Sequence, residues 1–239
     1  MKEIFEHELL IAPSLCGADG RLSVPSAFAV FMDIAAEHAE ALGVGVHDLA
    51  RKDLFWLTVK TRIRFFERPA MMERLNARTW PEIPGKVLGC RSYQLLRGDT
   101  VLVSGKTEWA VTNTVTKQFA MMSDVYPPAM EFEASSALPG PFARIADSFD
   151  GAPFAGYTVR ATDIDLGGHM NNAAYPVALL GCFSAEELHS LPIVQMDLIF
   201  RSPCYAGDRL ALQRMDTADG IDLRLSRDGD TVLLARLTC

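Results

Sequence analysis

Val59-Lys60-Thr61-Arg62-Ile63-Arg64-Phe65 runs on to Glu73-Arg74-Leu75, and 135 positions further along Val194-Gln195-Met196-Asp197-Leu198-Ile199-Phe200 runs on to Asp208-Arg209-Leu210. The offset holds without a gap from Val59/Val194 to Leu75/Leu210. Ile63 meets Leu198, Phe65 meets Phe200, and Glu73-Arg74-Leu75 meets Asp208-Arg209-Leu210. Each copy reads as a strand, a turn and a second strand. An internal repeat decides the fold before any single element does, so the chain reads as one unit used twice.

Working outward, each copy follows a helix candidate. The first spans about Val24 to Leu42, with Pro25 in its first turn and Phe28, Phe31, Met32, Ala35, Ala39 and Leu42 at helical spacing. Gly43 is a suitable stop. The second is shorter, about Asn172 to Cys182, with Pro176 near its start. After each helix the period changes to two. Leu57, Val59, Thr61, Ile63 and Phe65 are expected on one face, with Lys60, Arg62 and Arg64 on the other. Further strands are expected at 76–80, 86–96, 100–112, 209–216, 222–227 and 231–237. Arg97-Gly98-Asp99 and Arg227-Asp228-Gly229-Asp230 supply hairpin turns. Each half is therefore a helix followed by an antiparallel meander, an α+β arrangement. Residues 127–151, with Pro127, Pro128, Pro139 and Pro141, read as a linker between an N-terminal unit (1–126) and a C-terminal unit (152–239).

The bulk numbers bound the class. The chain has 239 residues, 49% hydrophobic and 22% charged, as expected of a soluble globular protein. No apolar run approaches a membrane span. The acidic start, without a signal-peptide core, makes a cytoplasmic protein the expectation. A formal charge of −7 argues against nucleic acid. The five cysteines include no Cys-x-x-Cys pair, so neither a disulfide framework nor a zinc site is expected.

Chemistry concentrates in Asp163-Ile164-Asp165-Leu166-Gly167-Gly168-His169-Met170-Asn171-Asn172, directly before the second helix. A carboxylate, a glycine turn, an imidazole and two amides in one run suit hydrolysis of an activated carbonyl, which needs placed water, a base and a site for the oxyanion. Asp165 is the candidate base or nucleophile, and Asp163 a structural or secondary carboxylate. His169 would orient Asp165 or polarise the carbonyl. Asn171 or Asn172 would cap the helix, and Asn171 could position water. Before the first helix, Leu15-Cys16-Gly17-Ala18-Asp19-Gly20-Arg21 holds the comparable place without an Asp-x-x-Gly-His. That half would supply shape rather than chemistry, with Phe28, Phe31 and Met32 as pocket lining or plain core.

With these residues in view, the chain resembles the acyl-acyl carrier protein thioesterases, the double hotdog enzymes of bacteria and plant plastids. The resemblance rests on Phe28–Leu42 with Ala35-Ala36-Glu37-His38-Ala39, on Phe55–Ile63, on Arg78-Thr79-Trp80-Pro81 and Glu108-Trp109-Ala110-Val111, and on the 163–172 run with Arg201–Leu210. It implies a tandem hotdog, each half a helix wrapped by an antiparallel sheet. It also implies hydrolysis of fatty acyl thioesters of acyl carrier protein, without metal or organic cofactor. Asp165, His169 and the Asn171-Asn172 pair fall on the family's Asp, His and Asn pair, while Gly167 replaces the family's middle Asn. Cys204 falls on the Cys of a Glu-Cys pair found in plant members, with Pro203 in place of the Glu. Cys204 is thus a candidate catalytic residue, against a buried structural role. The run from Asp165 to Tyr175 also looks like the single-hotdog acyl-CoA thioesterases. An acyl-CoA thioesterase and a non-catalytic acyl-binding module are therefore alternatives, with a hotdog dehydratase a third. Lys60, Arg62 and Arg64, with Lys52, would form a docking face for an acidic carrier protein, or a solvated strand face paired with local acids. A fused pair of hotdogs leaves monomer and homodimer both open.

Overall fold

A computed structural model describes residues 4–239, and the chain divides into two units, one ending at Gly140 and one spanning Pro141–Cys239.

The first unit opens with β1 (Phe5–Leu10) and a 3-10 turn at Pro13–Leu15, then α1 (Val24–Ala41) and the short α2 (Val46–Ala50). β2 (Leu54–Phe65), β3 (Arg74–Pro81), β4 (Leu88–Arg97) and β5 (Thr100–Asn113) follow, with a helical turn α3 (Met122–Val125). The strands pair antiparallel in the order β1-β3-β4-β5-β2. Ser23 caps α1 by accepting from Ser26 N–H at 3.2 Å, and Pro25 occupies the first turn. Phe28, Phe31, Ile34, Ala35 and Ala39 are buried, so the helical spacing in the sequence marks the face laid on the sheet. Burying Phe28 and Phe31 stabilises by about 1.5–3 kcal/mol each. Phe31 seats over Gly105, where a Cβ would lie 2.5 Å from the ring. Only glycine permits that approach of helix to strand.

One expectation fails on β2. Thr61, Ile63 and Phe65 are buried, but Leu57 is 36% exposed. The pairing with β5 passes from Thr58/Trp109 to Lys60/Glu108, so Val59 is an extra residue in a β-bulge. The bulge reverses the alternation upstream and puts Leu57 on the outer face. Nothing in the period-two pattern announces it.

The second unit repeats the plan. β6 (Ala155–Thr158) leads through a 3-10 turn at Ala161–Asp163 to α4 (Ala174–Leu180) and α5 (Ala185–Ser190). Then come β7 (Gln195–Phe200), β8 (Arg209–Thr217), β9 (Gly220–Arg227) and β10 (Asp230–Thr238). Their antiparallel order is β6-β8-β9-β10-β7, matching the first unit strand for strand. Each unit is thus a helix over a five-stranded antiparallel sheet, the hotdog arrangement. β1, β6 and α5 were not anticipated. α5 is set by a capping box between Ser184 and Glu187, and α4 is shorter than the sequence pattern suggests.

Residues 127–140 pack within the first unit and 141–151 within the second. In the first, Trp80 Nε1 donates to Ser135 O (2.9 Å) and Ala137 N–H to Ser92 Oγ (2.9 Å). In the second, Ile145 packs with Ile199 and Leu234, and Gln213 Nε2 donates to Gly151 O (2.9 Å). Buried Asp222 takes both arms of Arg236 at 2.6 and 2.8 Å. Among the described residues no helix is long and apolar enough to cross a membrane.

Candidate active site

The 163–172 run folds as a tight hairpin in front of α4. Ile164 and Met170 form an antiparallel bridge, Asp165 N–H donates to His169 O (2.9 Å), and Gly168 N–H donates to Asp165 O (3.0 Å). This is a turn closed by a left-handed residue, and Gly168 supplies it at φ +75°. Asp165 and His169 therefore stand opposite each other across the hairpin, both half-buried. Directly opposed residues of an antiparallel pair carry their side chains on the same side. Asp165 Oδ1 accepts from Gly167 N–H at 2.8 Å, which fixes the carboxylate's rotation. The His169 ring lies 5.2 Å from that of Tyr205, tilted by 56°.

Asp163 is structural. Its Oδ2 accepts from Tyr157 Oη and from Arg160 N–H, both at 2.7 Å, which closes the 3-10 turn that presents the hairpin. Neither Asn171 nor Asn172 stands at the helix cap as expected, because α4 begins at Ala174 with Ala173 in the capping place. Asn171 holds the entry instead: its Oδ1 accepts from Ala173 N–H (2.9 Å) and its carbonyl from Ala174 N–H (2.8 Å). Those two N–H groups are thereby taken, and Pro176 brings none. The helix start offers fewer donors to an oxyanion than the sequence suggests, which moves weight to His169.

Cys204 lies beneath the hairpin. Its carbonyl accepts Met170 N–H at 2.8 Å, and its fully buried thiol contacts the Tyr175 hydroxyl. Burial pushes the thiol pKa up, the wrong direction for a nucleophile, and pushes the Tyr175 hydroxyl up as well. Tyr175 in turn packs edge-on against Phe200. The structure sets Asp165 and His169 opposite each other on the hairpin backbone, with Cys204 and Tyr175 buried behind it. Tyr205 beside His169 escaped the sequence reading, since no spacing distinguishes it.

In the first unit Phe28 and Phe31 are core, with Phe31 stacked on Tyr93 at 4.8 Å. On the basic strand face Lys60 pairs with Glu108 at 2.9 Å, and exposed Arg64 lies over the Phe66 ring at 5.6 Å. No group of three His, Cys, Asp or Glu side chains is placed to hold a metal ion among the described residues.

A helix-over-sheet unit used twice, with one copy carrying an Asp-Gly-Gly-His hairpin, defines a tandem hotdog protein. Models of the acyl-ACP thioesterase N-terminal and C-terminal domains match residues 2–128 and 148–232, and the chain belongs to that family. Among curated relatives, a chloroplastic palmitoyl-acyl carrier protein thioesterase of Cuphea hookeriana is 22% identical over 91% of this chain and 56% of its own length. Oleoyl-acyl carrier protein thioesterase 1 of Arabidopsis thaliana is 22% identical over 95% of this chain and 66% of its own. The chain thus spans between about half and two thirds of these relatives. Among solved structures, the 12:0-ACP thioesterase from Umbellularia californica superposes with a TM-score of 0.85 at 19% identity, covering 98% of this chain and 96% of that one. An acyl-ACP thioesterase from Bacteroides thetaiotaomicron gives 0.82 at 20% identity, covering 98% and 97%. At such identities the likeness shows a shared fold.

Proposed function

We propose that this protein hydrolyses fatty acyl thioesters of acyl carrier protein, releasing free fatty acid and ending chain elongation. The observation that carries the reading is the opposition of Asp165 and His169 on one side of a glycine-closed hairpin, in the unit matched by the family's C-terminal domain. Asp165 takes a proton from water as the water oxygen bonds to the thioester carbonyl carbon. His169 donates to the carbonyl oxygen as it gains charge. Collapse breaks the C–S bond, and the departing thiolate takes up the proton. Direct attack by Asp165 through an anhydride, then opened by water, gives the same products.

The test is release of fatty acid from acyl carrier protein and from CoA bearing the same chain. Asp165→Asn is expected to lose about 10²–10⁴ in rate, the usual worth of a positioned base. Equal slow release by wild type and variant would remove the thioesterase reading. A clear preference for CoA would keep the chemistry and remove the carrier protein.

A further inference from the structure

The loops that follow β2 and β7 are tied down alike, and only one of them carries an aromatic ring toward its hairpin. In the second unit Tyr205 N–H donates to Asp208 Oδ2 (2.8 Å) and Asp208 N–H donates back to Tyr205 O (3.0 Å). Arg227 grips the Asp208 carboxylate and also donates to Pro203 O (3.1 Å). In the first unit Ala70 N–H donates to Glu73 Oε2 (3.0 Å), Glu73 N–H donates back to Ala70 O (3.2 Å), and Arg97 grips the Glu73 carboxylate. Each loop then meets its hairpin. Ala70 forms an antiparallel bridge with Arg21. Tyr205, one residue past the Cys204 carbonyl that takes Met170 N–H, brings its ring to 5.2 Å from that of His169. Tyr205 thus stands at the place of Ala70, as His169 stands at that of Arg21.

The scaffold does not require this ring. Alanine fills the place in the first unit and is exposed there, and Tyr205 is itself 47% exposed, so burial gains little from it. What the ring touches is the imidazole. A separation of 5.2 Å and a tilt of 56° are those of an attractive aromatic pair. Because the Arg227–Asp208 clamp fixes the Tyr205 backbone, the ring restricts the rotation open to a half-buried side chain on the hairpin.

We propose that Tyr205 is a positioning residue for His169, holding the imidazole at the angle from which it donates to the thioester oxygen; this rests on the hydrolysis proposed above. A donor stabilises developing charge most when its direction is set beforehand, so that no reorganisation is needed as the reaction proceeds. The support runs from Arg227 through Asp208 to the Tyr205 backbone, and from the Tyr205 ring to His169. The clamp is common to both units, and the ring belongs to the unit that has the histidine.

Kinetics and nuclear magnetic resonance on the whole chain test this. Tyr205→Leu, which keeps bulk and removes the ring, should lower kcat for hexadecanoyl carrier protein about 2- to 10-fold, the worth of one aromatic pair, with KM within about twofold. Tyr205→Phe keeps the ring and should restore most of that loss. In a His169→Gln background Tyr205→Leu should change nothing further, because the group it positions is gone. The same drop in both backgrounds, or Tyr205→Phe as slow as Tyr205→Leu, would overturn the proposal. The second readout does not depend on turnover. The ring C–H resonances of His169, identified by their loss in His169→Gln, should shift in Tyr205→Leu as the tyrosine ring current is removed, while those of His7, His38, His47 and His189 stay in place. Unmoved His169 resonances would equally overturn it. If wild type hydrolyses no thioester, the thioesterase reading fails, and these resonances alone decide whether Tyr205 holds the imidazole. If Tyr205→Leu fails to fold, Tyr205→Ala carries the same comparisons, since alanine is what the first unit has at this place.

Discussion

The two units build the same hairpin and put different side chains on it. Gly17 N–H donates to Arg21 O at 2.8 Å where Asp165 N–H donates to His169 O at 2.9 Å. Gly20 N–H meets Gly17 O at 3.0 Å where Gly168 N–H meets Asp165 O at 3.0 Å. Gly20 and Gly168 are both left-handed, at φ +69° and +75°. Even the anchors correspond, since Leu22 N–H reaches Pro69 O and Met170 N–H reaches Cys204 O, both at 2.8 Å. On this common backbone the first loop places Gly17 and Arg21 where the second places Asp165 and His169. The first loop is then fastened from outside: Arg68 grips Asp19 (2.6 Å) and Leu22 O (2.8 Å). In the second unit Pro203 stands at the place of Arg68, one residue before the anchor, and its side chain has no donor for such a clamp. The backbone is therefore a common scaffold, and the Asp165–His169 pair is a substitution upon it.

That account can be broken most sharply at His169. Arg21 shows that the corresponding place accepts a long cation, so His169→Arg is expected to fold with its stability changed by no more than about 0.5 kcal/mol, as for an ordinary surface substitution. Its rate of thioester hydrolysis should fall about 10²-fold or more, the scale of a lost general acid or oxyanion donor. Thermal unfolding and acyl release measured on one preparation check both halves. Loss of folding would mean that the two loops are not interchangeable scaffolds; retention of rate would remove His169 from the chemistry.

The helices differ too. α1 buries a titratable ring, His38, whereas α4 has only Tyr175 to titrate. Because burial and Arg91 hold His38 down at about 4, the unfolded chain binds its proton first as acid is added. Stability from this group is complete above the unfolded value of about 6.5, falls as pH drops from there, and levels below about 4. The interval is worth about 3 kcal/mol. Denaturant unfolding of wild type and His38→Gln from pH 7 to pH 4 should show the wild type losing that much more than the variant. Parallel curves would show that His38 titrates normally in the folded chain.

How much of this was legible beforehand follows from where the signals are local. The 135-residue offset falls on β2–β3 and β7–β8, where aligned residues such as Ile63/Leu198 and Leu75/Leu210 are buried in both copies, so the repeat could be read directly. The hairpin carried its own marker in Gly167-Gly168. The bulge at Val59 could not be seen, because it is a property of the pairing with β5 and not of β2 alone. β1 and β6 were missed because their apolar residues are few; at the sheet edge only one neighbour stabilises each. Asn171-Asn172 points to a cap because Asn suits that place, but α4 starts at Ala174, beyond both amides. The segment 127–151 lacks any period because its polar backbone is satisfied by side chains such as Trp80, Ser92 and Gln213, far away in sequence.

The smallest expected effect concerns Cys204, where the comparison is most specific. At that place the first unit has Pro69, which has no thiol, yet the carbonyl still receives the loop's N–H. The shared structural duty belongs to the backbone, and the Cys204 side chain is an addition peculiar to the second unit, buried against the Tyr175 hydroxyl. Its pKa is raised by burial, so the thiolate that a nucleophile requires is rarer here than in water. Cys204→Ser should therefore keep hydrolysis within about threefold, because no step passes through sulfur. The hydroxyl, more polar than the thiol, has Tyr175 to bond with, so the loss of stability should stay near about 1 kcal/mol. A fall of a hundredfold or more in rate with unfolding unchanged would put sulfur into the reaction and turn the buried support of the hairpin into part of its chemistry.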